Sequence, residues 1–216
     1  MSYRVALFDL DGTVLDTLDD LTAAVNHALA SEGFPTHDKN AVCAMVGNGI
    51  SNLIHRAVPS GTSAEITARV FDAFRLYYAS HCAVFTKPYD GVLEMLRTLR
   101  ANGVRTALVS NKADFAVQLL VKDYFDGLFD TALGEIADLP RKPAPDMIYL
   151  VLERLGATKE EAVFVGDSDV DVKTAANAVV DGLFVTWGFR DADCLIAAGA
   201  TRLCHTTNEL CEAILK

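Results

Sequence analysis

Polar residues with complementary chemistry stand at five places in the chain. Two acids, Asp9 and Asp11, are one residue apart near the beginning. Ser110, Lys142 and a third acid, Asp167, follow much later. Carboxylates held close together raise one another's pKa unless a cation compensates their charge. Because an open site made of oxygen ligands suits Mg²⁺, these residue types predict a Mg²⁺ site with a hydroxyl and an ammonium beside it, provided that the fold brings them together.

The elements that precede these residues indicate how they could meet. Four short apolar runs predict buried strands at residues 4–10, 104–109, 162–165 and 182–185. Helical patterns separate these runs, and strands that alternate with helices form a parallel sheet. Reactive groups of such sheets gather where the strands end at their carboxyl edge. We therefore expect the polar residues at one edge of a Rossmann-like, three-layer α/β core.

A long stretch between the first two strands contains no strand-like run. Thr17 with Asp20, and Thr62 with Glu65, have the spacing of a capping box, which predicts two helix starts there. The stretch is too long for a simple crossover between neighbouring strands. It therefore predicts an all-helical cap subdomain inserted into the α/β fold.

The expected division of the chain follows from that insertion. Residues 1–15 and 86–216 are expected to form the α/β core, and residues 16–85 the helical cap. The two crossings, at residues 15–17 and 86–88, are suitable hinges for a cap that excludes water during catalysis.

Composition excludes several classes of protein. The 216 residues are 51% apolar and 22% charged, which is enough to bury a core and argues against disorder. A formal net charge of −10 argues against nucleic acid or an anionic membrane as a partner. The five cysteines are odd in number and form no C-x-x-C pair, and no signal-like segment opens the chain. We expect a cytoplasmic protein, either a monomer or a homodimer.

The motifs occur in an order that resembles the haloacid dehalogenase superfamily. The sequence DLDGT at residues 9–13 matches its first motif, Ser110 the second, Lys142 the third, and GDSDVD at residues 166–171 the fourth. The helical insertion directly after the first motif is similar to the first cap type of that superfamily. Singly, each residue has a structural reading as a turn, a helix cap or a loop lysine. Only the ordered set is specific.

Within the superfamily, the chain is similar to bacterial phosphoglycolate phosphatases. The similar segments are VGNG at residues 46–49, LPRKPAPD at 139–146 and VTWGFRD at 185–191. Two departures are Ala144, where an Asp is common, and Val179-Val180, which replaces a usual Gly-Met. These departures leave the catalytic positions unchanged. The resemblance implies hydrolysis of a small phosphorylated metabolite, with 2-phosphoglycolate as the best single substrate.

The resemblance also implies catalytic roles. Asp9 would be the nucleophile and would form an aspartyl-phosphate. Asp11 would protonate the departing alkoxide and then deprotonate the attacking water. Lys142 and Ser110 would stabilise the charge on the transferring phosphoryl group.

The metal ligands and substrate contacts follow in the same way. Mg²⁺ would be held by Asp9, Asp167 and the backbone carbonyl of Asp11, with Asp171 positioning its waters or Lys142. Further contacts to the substrate are expected from the core residues Gly12, Thr13 and Asn111 and from the cap residues Gly47, Asn48, Gly49 and Arg56.

Three alternative functions stay open at this point. A phosphosugar mutase of the same superfamily would pass the phosphoryl group to a second hydroxyl, and a pyrophosphatase would cleave an anhydride. A receiver-like module would keep a phosphorylated aspartate without turnover, but it needs no cap. The product that accumulates distinguishes these alternatives from a phosphatase.

Overall fold

A parallel sheet forms the centre of the larger part of the molecule. The computed structural model describes residues 3–47 and 49–216. Its six-stranded sheet has the order β5-β4-β1-β6-β7-β8, with every pairing parallel. The strands are β1 Val5–Phe8, β4 Arg105–Ala113, β5 Thr131–Glu135, β6 Ala162–Gly166, β7 Asp181–Val185 and β8 Leu203–Cys204.

The central strands are buried on both faces, which explains why they appear as continuous apolar runs. Every residue of β1 and of β6 is buried. The register pairs Phe8 with Leu108 of β4 and with Val165 of β6. Residues that follow these three positions therefore emerge at the same edge of the sheet.

Among the residues that the structure describes, six helices and a short 3₁₀ helix alternate with or follow the strands of this sheet. They are α5 Val92–Ala101, α6 Asp114–Tyr124, α7 Asp146–Leu155, α8 Asp169–Ala178, α9 Ala192–Ala197 and α10 Thr207–Leu215, with a short 3₁₀ helix at Lys159–Glu161. Helix α7 ends at Gly156, whose left-handed backbone (φ 58°) is typical of a glycine after a helix. The predicted α/β class with a parallel sheet is confirmed.

Two strands of the six-stranded sheet lie outside the four that were predicted. Strand β5 is only half-buried, and β8 has two residues, so neither shows a continuous apolar run. Periodicity in the sequence therefore carries little signal for strands at the two ends of the sheet.

A second compact unit, residues 16–87, is helical. Its helices are α1 Leu18–Ser31, α2 Lys39–Met45, α3 Gly49–Ala57 and α4 Ala64–His81. Helix α1 packs against α4 through buried apolar side chains that include Leu21, Val25, Val70 and Phe74. The apolar face shared by these helices gives the unit its own core.

The two predicted capping boxes of this unit do not form as expected. Thr17 precedes α1 without a side-chain capping bond, and Asp20 instead accepts hydrogen bonds from the backbone N–H groups of Phe85 and Thr86. The N-cap of helix α4 is Ser63, one residue later than the predicted Thr62. Ser63 accepts from Ile66 N at 3.3 Å, while the hydroxyl of the neighbouring threonine donates to the preceding turn.

The chain passes between the two compact units at two places. Residues 3–15 and 88–216 belong to the sheet unit, and residues 16–87 to the helical unit. The two-residue strands β2 (Leu15–Asp16) and β3 (Lys87–Pro88) pair with each other at these passages. In the part of the chain that the structure describes, no helix has the length and apolarity needed to cross a bilayer.

Candidate active site

The end of β1 presents the two acids of the first motif. Asp9 continues the sheet, because its N–H donates to Val165 O of β6 at 2.8 Å, and its side chain is buried. The chain then folds back, with the carbonyl oxygen of Leu10 accepting from the N–H groups of the three residues 13–15. This tight loop separates the directions of Asp9 and Asp11, although only one residue lies between them.

Lys142 lies between two buried carboxylates. Its Nζ is 2.8 Å from Oδ1 of Asp9 and 2.8 Å from Oδ1 of Asp171. The contact with Asp9 is an ion pair without hydrogen-bond geometry, because that buried Oδ1 accepts no hydrogen bond. The ammonium is therefore held mainly by Asp171 and reaches Asp9 through charge.

Asn111 fixes the backbone that carries Lys142. Its Nδ2 donates to Lys142 O at 2.9 Å, and its Oδ1 accepts from Lys142 N at 2.9 Å. Asn111 follows Ser110 on β4, and the buried hydroxyl of Ser110 accepts from Lys112 N at 3.3 Å. The second motif and the lysine loop are thus joined through one side-chain amide. The sequence predicts that Asn111 contacts the substrate, and in the structure its amide holds the backbone of Lys142.

Asp171 is completely buried at the beginning of α8. Its Oδ2 accepts from Ser168 Oγ at 2.6 Å and from Ser168 N at 3.1 Å, which completes a capping box. Because Oδ1 of the same carboxylate contacts Lys142, both oxygens are engaged. Asp171 therefore ties the lysine to a helix N-terminus.

Asp167 is surrounded by hydrogen-bond donors and by closely packed backbone. Oδ1 accepts from the hydroxyl of Thr13 at 3.1 Å, and Oδ2 accepts from the N–H of Phe189 at 2.7 Å. Two glycines pack so closely against this carboxylate that neither position has room for a Cβ. A Cβ would lie 2.2 Å from Oδ2 at Gly12 and 2.4 Å from the same atom at Gly188. Sequence reasoning did not identify the donor at Phe189, because a backbone N–H leaves no trace in residue type.

Lys112 is a further buried cation that sequence reasoning left without a role. Its Nζ lies 2.8 Å from Oδ1 of Asp11, and the exposed fractions of the two side chains are 3% and 19%. The available signal was a lysine just beyond a predicted buried strand, since lysine is almost never fully buried unless it is paired.

Burial and like charge perturb the acids of this group. Burial, opposed by the charge of Lys142 and reinforced by that of Asp171, raises the pKa of Asp9 to about 7. Burial together with the charges of Asp171 and Asp9 raises the pKa of Asp167 well above its usual value. Burial disfavours the charged form of Lys142, but the carboxylates of Asp171 and Asp9 outweigh it and raise the pKa of the lysine. The group holds more negative charge than its lysines compensate.

The donor set fits a divalent cation. Asp9, Asp167 and Asp171 each offer one oxygen, and these three atoms lie within 4.8 Å of one another. Asp9 Oδ1 is buried without a hydrogen bond, and the carboxylate of Asp167 retains lone pairs beyond its two accepted bonds. Oxygen ligands with uncompensated negative charge suit a hard divalent cation.

The predicted substrate contacts of the helical unit lie around the connection from α2 to α3. Gly47 and Gly49 have positive φ values of 120° and 83°. Arg56 donates from Nη1 to Met45 O at 2.9 Å, so one of its donors stabilises this connection. Asn48 lies outside the described residues. A role of these four residues in substrate binding stays a prediction.

Three comparisons place the chain among known proteins. Residues 6–185 match the sequence profile of a family described as haloacid dehalogenase-like hydrolase. The phosphoglycolate phosphatase of Colwellia psychrerythraea is 30% identical over 214 residues, which cover 96% of this chain and 95% of that protein. Phosphoglycolate phosphatase 1 of Pseudomonas aeruginosa is 36% identical over 192 residues, which cover 86% of this chain and 70% of that protein.

Solved structures agree with these sequence matches. The crystal structure of a candidate phosphoglycolate phosphatase from Lactobacillus delbrueckii subsp. bulgaricus superposes with a TM-score of 0.96 at 38% identity. The superposition covers 100% of this chain and 99% of the other. The likeness therefore extends over both compact units and is not confined to the sheet.

Proposed function

The chain belongs to the haloacid dehalogenase-like hydrolase family, as its four motifs predicted, and from this premise we propose that it is a Mg²⁺-dependent phosphatase. Its substrate would be a small phosphorylated metabolite. The observation that carries the proposal is the buried group at the carboxyl edge of the sheet, in which Asp9 lies 2.8 Å from Lys142 and close to Asp167.

The first step transfers the phosphoryl group to the protein. An oxygen of Asp9 attacks phosphorus, the bond between phosphorus and the ester oxygen breaks, and its electron pair goes to that oxygen. Asp11 donates a proton to the departing oxygen, so that an alcohol leaves and an aspartyl-phosphate remains on Asp9. Lys142, fixed by Asp171 and Asn111, stabilises the charge of the transferring group.

The second step releases phosphate. Asp11 takes a proton from water, the water oxygen attacks phosphorus, and the bond to Asp9 breaks with its electron pair returning to the carboxylate. Inorganic phosphate leaves, and both acids are restored to their starting states. Splitting a very slow hydrolysis into two steps is the advantage that a carboxylate nucleophile provides.

A metal would be held by Asp9, Asp167 and the backbone carbonyl of Asp11. When bound, Mg²⁺ supplies positive charge that screens the repulsion between the nucleophile and the incoming phosphate. Thr13 and the N–H of Phe189 keep the carboxylate of Asp167 in position for this role. Asp171 contributes through Lys142, since both of its oxygens are already engaged.

The best single substrate is 2-phosphoglycolate. The support is that curated relatives from Colwellia psychrerythraea and Pseudomonas aeruginosa carry the name phosphoglycolate phosphatase. In this proposal residues 16–85 act as the cap that reads the leaving group, through Gly47, Asn48, Gly49 and Arg56. We also propose that the enzyme is cytoplasmic, since its five cysteines are odd in number and form no C-x-x-C pair, a pattern that suits a reducing compartment.

The test is release of inorganic phosphate from a panel of phosphorylated metabolites, ranked by kcat/KM. We expect 2-phosphoglycolate to rank first, and we expect chelation of the metal or Asp9→Asn to lower kcat at least about 1,000-fold. Glu212→Gln, an exposed acid paired with Lys216, is the matched control and should keep full activity. Activity that survives both metal removal and Asp9→Asn would refute the proposal.

The same assay separates the alternative functions. Accumulation of an isomer without free phosphate would identify a mutase, and preference for pyrophosphate would identify a pyrophosphatase. A long-lived phosphorylated protein without turnover would identify a receiver-like module.

A further inference from the structure

We propose that Lys112 makes this enzyme selective for phosphate esters whose leaving group carries its own negative charge close to the ester oxygen. Carboxylates and second phosphates are the groups of this class. The inference rests on the proposed phosphatase function and adds to it a residue that recognises the leaving group.

The first observation is the position of the Lys112 ammonium. It lies 2.8 Å from Oδ1 of Asp11, and only 3% of the lysine side chain is exposed. The ion pair of Lys173 with Asp169 has the same 2.8 Å distance, but 55% of that lysine side chain is exposed. A buried charge-assisted contact is stronger and better oriented than a surface pair. Lys112 is therefore held firmly beside the acid that we assign to the leaving group.

The second observation is what Asp11 does in the proposed reaction. To protonate the leaving oxygen, its carboxyl group must come within hydrogen-bond distance of that oxygen. The Lys112 ammonium is one contact away from the same carboxyl group. Substituents within two bonds of the ester oxygen consequently come close to this ammonium. In 2-phosphoglycolate the carboxylate carbon is two bonds from the ester oxygen.

The third observation is the balance of charge. Four carboxylates, of Asp9, Asp11, Asp167 and Asp171, surround the place where a phosphoryl group would react. In the described part of the chain the buried lysines are Lys112 and Lys142, and Lys142 lies between Asp9 and Asp171. A second anion on the substrate would be repelled by the acids unless a cation faced it. Lys112 is the buried cation on the side of Asp11.

An ammonium can serve both groups at once. Lysine has three N–H donors, so Lys112 can keep its bond to Asp11 while it donates to a carboxylate of the leaving group. The lysine would then bridge the acid and the leaving group and hold the ester oxygen against Asp11. A neutral leaving group gains none of this orientation.

The kinetic test compares two esters of similar length, 2-phosphoglycolate and 2-hydroxyethyl phosphate, of which only the first carries a carboxylate. The measured quantity is the ratio of their kcat/KM values. Lys112→Met should lower this ratio about 10- to 200-fold, which corresponds to losing one hydrogen bond to a charged group. Lys173→Met is the matched control and should leave the ratio unchanged. An unchanged ratio in Lys112→Met would overturn the proposal, even if both rates fall together.

Calorimetric binding in the presence of Mg²⁺ tests the same inference without turnover. Phosphonoacetate carries the additional carboxylate and methylphosphonate lacks it. We expect the wild type to bind phosphonoacetate more tightly and Lys112→Met to lose that preference. If the wild type hydrolyses no ester, the proposed function fails, whereas the binding preference still decides the role of Lys112.

A second pair of variants covers the case in which Lys112→Met does not fold because Asp11 is left without its cation. Asp11→Asn removes the carboxylate that Lys112→Met alone would leave without a cation. The double variant Asp11→Asn/Lys112→Met removes the carboxylate and the lysine together. The preference for phosphonoacetate should persist in the single variant and disappear in the double variant. Equal preference in the two would refute the role of Lys112.

Discussion

Two features require a glycine at position 12: its left-handed backbone, and the lack of room for a Cβ beside Asp167. Its φ is +84°, and a Cβ would lie 2.2 Å from Asp167 Oδ2, far inside contact distance. Gly12→Ala must therefore displace the carboxylate that we assign to the metal. A displacement of about 1 Å in a catalytic site can cost roughly 100-fold in rate, so we expect kcat/KM for phosphate release to fall by at least about that factor.

Gly103→Ala is the matched control for this substitution. Gly103 has nearly the same φ, +80°, but a Cβ there meets nothing within 4 Å. Both variants carry the strain of a left-handed backbone, about 1–2 kcal/mol. Only Gly12→Ala should lose activity, and equal activity of the two variants would contradict the steric explanation.

At the scale of elements, the end of β4 holds the loop of Lys142 through one amide. Asn111 makes two hydrogen bonds of 2.9 Å to the backbone of that lysine. Asn111→Ala frees the loop, and we expect kcat to fall about 10- to 100-fold while KM changes little, because the lysine acts mainly on the transition state. Steady-state kinetics with the preferred ester measures both constants.

Asn177→Ala is the matched control. Asn177 donates to Pro143 O at 2.8 Å, one residue beyond Lys142, but it makes this bond from the exposed surface of α8. We expect its kcat to stay within about threefold of wild type. If both variants lose activity to the same extent, the position of the whole loop controls the rate, and the two hydrogen bonds of Asn111 to Lys142 have no special role.

In the helical unit, the first turn of α1 holds the returning chain. The buried carboxylate of Asp20 accepts from Phe85 N at 3.0 Å and from Thr86 N at 2.8 Å. Asp20→Ala leaves these N–H groups without an acceptor and should lower the free energy of unfolding by about 2–4 kcal/mol. Unfolding in urea measures this change.

The neighbouring Asp19→Ala tests whether position on α1 alone explains the effect. Asp19 has a 52% exposed side chain and forms a surface ion pair with Lys39. Its removal should change the free energy of unfolding by less than about 1 kcal/mol. A loss as large as that of Asp20→Ala would show that the helix start, and not the contact with residues 85 and 86, is responsible.

At the scale of the whole molecule, the buried acids make stability depend on metal. Burial and two neighbouring carboxylates raise the pKa of Asp167, which indicates that its charge is unfavourable without a cation. Asp167→Asn removes that charge, and its amide can still accept from Phe189 N and donate to the Thr13 hydroxyl. We expect the metal-free variant to melt at least about 2 °C above metal-free wild type.

The response to Mg²⁺ should have the opposite order. Mg²⁺ binds the folded wild type and raises its melting temperature, whereas Asp167→Asn should respond weakly or not at all. Asp169→Asn, an acid two residues away that pairs with an exposed lysine, should respond like wild type. A full Mg²⁺ response in Asp167→Asn would contradict the assignment of this residue to the metal.

Much of the fold could be predicted because it depends on local patterns. The runs that became β1, β4, β6 and β7 are buried on both faces or nearly so, and the helix stop at Gly156 is a local signal. Strands β5 and β8 were not predicted, because β5 is half exposed and β8 has only two residues. The capping box predicted at Thr17 failed because Asp20 found backbone partners 65 and 66 residues away, and the one predicted at Thr62 failed because Ser63 caps α4.

By itself, the sequence determined which residue types follow the strands, and a parallel sheet then requires them to meet at one edge. Only the tertiary structure decided the partners within that group. Lys142 contacts Asp9 and Asp171, Lys112 contacts Asp11 across 101 residues, and the amide of Asn111 turns to the lysine backbone. These choices depend on side-chain directions and on distances between segments far apart in the chain, which no local periodicity records.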